Sequence, residues 1–190
     1  MTPQHEPGPG DRMNAAGNFN SMMTFAYAVA LAFLPFTRRN TGKEWMGRAG
    51  LLTFFLIPVY ASFTNSEWMF GFFVMWLCAL ISQRSGQYRN WRAGEIIHSQ
   101  YAGDPWLSRK LFPFLSDGNA RAMDGFLCLI AGGVIVQFDK PVGWFFIAGF
   151  FSIMLVEGVA VETTRRKLRA MRDAEIEQRY LAKRYKSGRF

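Results

Sequence analysis

Charge is segregated along this chain, and that segregation most restricts how it can fold. Stretches 49–82 and 126–161 contain Glu67, Asp139, Lys140 and Glu157 as their only charged residues. Segments 37–48, 83–124 and 162–190 carry almost all of the rest. A single helix over the 34 residues of 49–82 would be about 51 Å long, well beyond the roughly 30 Å hydrocarbon core of a bilayer. The stretch must therefore fold back on itself, and Thr64-Asn65-Ser66-Glu67 is where it can. Asn and Ser favour turns and helix N-caps, and a charge such as Glu67 is costly inside lipid. The expected result is a helical hairpin with arms at 49–64 and 68–82. Pro58 lies within the first arm.

A second hairpin mirrors the first. Phe126–Phe138 is one arm, Asp139-Lys140-Pro141 the turn and Val142–Val161 the other arm. Asn119 is the expected cap of the helix that leads into it. Gly132, Gly133, Gly143, Gly149 and Gly158 are small residues that let helices approach closely. Of the aromatics, Trp45, Tyr60 and Trp68 fit an interfacial belt, whereas Trp76 lies mid-arm and suits packing. The shorter apolar run Met22–Phe36 either crosses with its polar flank or lies in the interface. Residues 1–18, with three Pro and three Gly, are expected to form a disordered tail. The fold class is therefore all-α, a polytopic membrane protein. Its membrane domain covers 19–161 with a loop at 83–124, and a basic helix follows over 162–190.

Orientation follows from Lys and Arg alone. Twenty fall in 37–48, 83–124 and 162–190, against one at the hairpin tips. Positive charge stays inside, so these segments and the C-terminus are expected in the cytoplasm, beneath a bacterial inner membrane.

The chemistry-bearing residues are few. Glu95 and His98 form one E-x-x-H pair, where a di-iron bundle needs two such pairs and two further glutamates. Asp104-Pro105 reads as an N-cap and first-turn proline for a short helix around Trp106, Leu107, Leu111 and Phe112. Together with Tyr101, these residues outline a surface site built on Glu95, His98 and Asp104. The plainer reading of 94–114 is an amphipathic segment in the headgroup layer, with Arg109 and Lys110 on lipid phosphates. Glu157 is the one acid inside an apolar arm, placed either as a proton or substrate group or as a boundary carboxylate. Cys78 and Cys128 are expected as two buried, reduced thiols. No nucleotide loop, dinucleotide fingerprint, C-x-x-C or hydrolase elbow is present, and no motif implies a cofactor or metal.

The tail supplies Arg165, Arg166, Lys167, Arg169, Arg172, Lys183 and Arg184, cations that suit anionic headgroups or an acidic protein partner. Self-association and nucleic acid are further alternatives that the charge pattern permits. The leading functional expectation is a non-catalytic membrane subunit or scaffold of an assembly such as a transfer or secretion apparatus. The alternative is a small membrane enzyme or transporter working at Glu95, His98 and Asp104.

Overall fold

The structure is a computed structural model that describes residues 9–95, 99 and 101–186. It is predominantly helical. Seven helices and one two-residue strand pair make up the described residues: α1 (Pro9–Leu31), α2 (Leu34–Thr37), β1 (Arg38–Arg39), α3 (Gly47–Thr64), α4 (Glu67–Arg92), β2 (Asp104–Pro105), α5 (Trp106–Leu111), α6 (Asp117–Ile135) and α7 (Lys140–Lys186). Two of them, α3 and α7, are long and apolar enough to cross a membrane among the described residues.

α1 begins inside the stretch expected to be a tail. The second half of α1 forms the centre of the core. Ala28 through Leu34 are all buried, and the carbonyls that the helix end leaves orphaned find side-chain donors. Thr53 Oγ1 lies 2.7 Å from the Ala28 carbonyl, and the Trp76 indole N–H donates to Leu31 at 3.0 Å. Trp76 is thus a packing residue. Trp45 is buried as well, its carbonyl accepting from the Tyr27 hydroxyl at 2.5 Å, so it does not belong to an interfacial belt.

The two turns form where local chemistry places them. Asn65 takes the left-handed conformation that ends α3 (φ 50°), and the Ser66 side chain accepts from Met69 N–H to cap α4. At the other turn, Asp139 accepts from Val142 N–H at 2.9 Å. The tips also meet, because the Ser66 hydroxyl donates to Asp139 at 2.9 Å and the Tyr60 hydroxyl to the Pro141 carbonyl at 3.1 Å. Close packing against the first part of α7 relies on absent side chains. A Cβ on Gly143 would stand 2.5 Å from the Val136 backbone at the end of α6, and one on Gly149 would strike the Phe33 ring between α1 and α2. Gly133 and Gly158 have open space around them and play no such part.

Three local expectations shift. Ser116, not Asn119, stands at the N-cap position of α6. Asp104-Pro105 pairs as a strand, and α5 opens one residue later with Pro105 at its N-cap position. Cys78 is exposed and only Cys128 is buried. Cys78 lies two residues past the inward-facing Trp76, which turns it about 200° around the helix.

The chain divides into two compact units, Met1–Val156 and Glu157–Phe190. The second contributes the basic end of α7, a solvated helix. Arg166 pairs with Glu162 at 3.1 Å and Arg179 with Glu175 at 2.6 Å, both four residues apart. Arg184 lies over the Tyr180 ring.

Candidate functional site

The inner face of α4 runs through Met69, Phe72, Trp76 and Leu80 at helical spacing, and the same face then turns polar at Gln83 and Gln87. These two amides hold the segment after α2 against the helix. The Gln83 side-chain N–H₂ donates to the Pro35 and Arg38 carbonyls, each at 3.0 Å. The Gln87 N–H₂ donates to the carbonyls of Thr41 and Gly42, also at 3.0 Å each. Arg84 donates to the Lys43 carbonyl and to Gln87 Oε1. α4 thereby extends ten residues beyond its apolar arm, because its last turns carry the partners of residues 35–43.

Residues 38–44 are also paired from the other side. Arg38 stands opposite Pro105 and Arg39 opposite Asp104 in an antiparallel bridge. The same register continues as Gly42 N–H donates to the Tyr101 carbonyl and Glu44 N–H to Ser99, each at 2.8 Å. Asn40 and Gly103 fall opposite one another in that register, and both have positive φ (57° and 84°). A Cβ at Gly103 would stand 2.7 Å from the Arg39 carbonyl oxygen, so close approach as well as φ demands glycine there.

Behind this ribbon is a buried polar knot. Arg38 and Asp124 have side-chain exposures of 1% and 0% and meet at 3.5 Å. Ser108, also buried, donates its hydroxyl to Asp124 at 2.5 Å. Asp124 reaches the knot because Ala120, Asp124 and Cys128 share one buried face of α6 at four-residue spacing. Burial pushes its carboxyl above the ordinary range, while the Ser108 hydrogen bond and the Arg38 charge pull it back. The buried Thr37 hydroxyl lies beside the knot and also pulls the Asp124 carboxyl down.

On the outer side of the ribbon a cavity of about 460 Å³ opens between residues 35–41 and α4. Among the described residues, Arg38, Arg39 and Arg89 line it, with Asn40, Gln87 and Asn90, and no acid does. Trp106 closes one end, with the Arg39 guanidinium 3.9 Å above its ring.

The residues singled out from sequence are placed differently. Asp104 accepts the Tyr101 hydroxyl at 2.5 Å, and that bond holds the Tyr101 phenol above its ordinary range. The carboxylate is thus engaged within its own loop. Glu95 is exposed, its N–H donating to the Asn90 carbonyl at 3.1 Å, and His98 lies outside the described residues. Arg109 forms an exposed ion pair with Asp117, which raises its already high pKa, and Lys110 sits 5.7 Å from the Trp106 ring centre. Arg38, Asp124, Ser108, Gln83 and Gln87 were not expected in a site. The signal for the glutamines lies in the sequence, as the apolar spacing of α4 continues through them. For Arg38 and Asp124 there was none beyond their membership of charged segments. Comparison with protein-family models, curated proteins and solved structures finds no match to this chain.

Proposed function

We propose that the chain is a non-catalytic integral membrane subunit or scaffold, built from two transmembrane hairpins (α3–α4 and α6–α7). It presents basic elements at the cytoplasmic face of a bacterial inner membrane to other members of an assembly, such as a transfer or secretion apparatus. One observation carries this reading: the apolar helices turn their large side chains outward. Only 22% of the apolar window of α3 and 17% of that of α7 is buried. Phe63 is 90% exposed and Phe138 86%, and Phe55, Phe70, Ile130 and Phe151 are exposed on four different helices. A soluble domain leaves few such surfaces in water, whereas lipid is a suitable solvent for them. The bonded hairpin tips are poor in Lys and Arg. The positive-inside rule then assigns the Lys- and Arg-rich segments to the cytoplasm.

The Glu95, His98 and Asp104 alternative gains no support from a geometry in which Asp104 is engaged by Tyr101. Single-cysteine labelling in intact cells and spheroplasts tests the proposal. Positions 65 and 139 are expected to label from outside, and positions 90, 110 and 180 only after permeabilisation. Labelling of 65 and 110 from the same side would refute it.

A further inference from the structure

We propose that the cavity between residues 35–41 and α4 binds a phosphate-bearing anion, gripped by Arg39 and Arg89. Among the described residues, Arg38, Arg39 and Arg89 belong to the lining of the cavity and no acid does. The Arg38 guanidinium is engaged by Asp124, which leaves Arg39 and Arg89 as the other two arginines of the lining. Among the described residues neither Arg39 nor Arg89 lies within ion-pair distance of an acid. A phosphomonoester carries about −1.5 to −2 charges near neutral pH and so matches two arginines, where a carboxylate would match one.

The site is also organised in advance. The Arg39 guanidinium carbon lies 3.9 Å from the Trp106 ring centre, a cation–π contact that restrains the guanidinium. The backbone beneath it is held by the Gln83 and Gln87 amides and by the pairing to residues 99–105. The Asn90 side-chain N–H₂ donates to Asn40 Oδ1 at 3.3 Å and ties the rim together. Because these elements are already held by the fold, little ordering remains to be done on binding. The volume of about 460 Å³ exceeds what a phosphate alone would fill and leaves room for the group that carries it. Phe36 lines this cavity and also a second, apolar one of about 210 Å³. A lipid headgroup and a soluble phosphorylated metabolite share the required chemistry. Only the lipid source depends on the membrane reading, which the labelling experiment tests separately.

The full-length chain in phosphatidylcholine nanodiscs tests the proposal with two probes. Glycerol 3-phosphate is titrated by calorimetry, and phosphatidic acid is added to the discs and its retention scored by native mass spectrometry. At least one probe is expected to bind saturably at one site. Arg39→Gln and Arg89→Gln are each expected to weaken that binding about tenfold or more, the loss of one charge-assisted contact. A control at an exposed arginine outside the lining, Arg48→Gln, should change it less than about twofold. Retention of phosphatidic acid without binding of glycerol 3-phosphate identifies a lipid, and the reverse a soluble ligand. Arg89 is exposed, so Arg89→Gln decides the matter if Arg39→Gln disturbs the Trp106 stack and folds poorly. Saturable binding of neither probe, or equal weakening by the control, would overturn the proposal.

Discussion

Replacing Asp124 by alanine is expected to be among the most damaging single changes in the chain. The substitution removes the carboxylate that Arg38, 1% exposed, meets at 3.5 Å, and with it the acceptor of the buried Ser108 hydroxyl. Breaking one partner out of a buried ion pair costs about 3–5 kcal/mol, and the hydroxyl adds about 1 kcal/mol. A chain of this size loses roughly 2–4 °C of Tm per kcal/mol, so the pair alone predicts a fall of roughly 6–20 °C. Thermal unfolding in detergent, followed by tryptophan fluorescence, provides the assay, since the buried Trp76 reports on the core. The double variant Arg38→Met with Asp124→Leu is expected to regain most of the loss, because no uncompensated charge is then left inside. Asp117→Ala, which removes the exposed partner of Arg109, should leave Tm unchanged. The reasoning is refuted if Asp124→Ala stays within about 1 kcal/mol of the parent, or if the double variant is no better than Asp124→Ala.

Gly143→Ala and Gly149→Ala are expected to destabilise by about 1–3 kcal/mol each through overpacking, whereas Gly133→Ala should be neutral or stabilise by up to about 1 kcal/mol. Denaturant titration separates the two groups, and equal effects would mean that Gly143 does not abut Val136 nor Gly149 the Phe33 ring. Tyr101 is expected to ionise above the ordinary tyrosine value of 10.0, read as the difference in phenolate absorbance between the parent and Tyr101→Phe. Because its folded pKa is raised, the stability it contributes is fully present below its unfolded value and lost as pH rises through the folded one. Asp104→Asn should bring it down, and no downward movement would remove Asp104 as the cause. Truncation after Arg166 should leave the protein in the membrane fraction and abolish a salt-sensitive attachment to its partner, measured by co-purification at low and physiological salt. Undiminished attachment would move attention from the tail to residues 35–43.

Local chemistry made the helices and their turns legible. Asn65 and Ser66 end one helix and cap the next, and Asp139 caps α7, using groups no more than four residues away. α7 continues through Glu162 to Lys186 because helix-forming residues follow its apolar part without a breaker, a property of the segment itself. The outward apolar surface likewise follows from stretches with too few polar residues to give each helix a polar face. The site depends on pairings of another kind. Arg38 and Asp124 are 86 residues apart, and Arg39 meets Trp106 across the ribbon formed with residues 99–105. No periodicity links such positions, and each sits in a charged segment that reads as solvated when taken alone. Only folding decides that Arg38 turns inward to a carboxylate while Arg39 and Arg89 line a cavity without one. The reason is physical: a turn or a cap satisfies groups a few residues apart, whereas a buried charge needs whichever partner the packed helices bring to it.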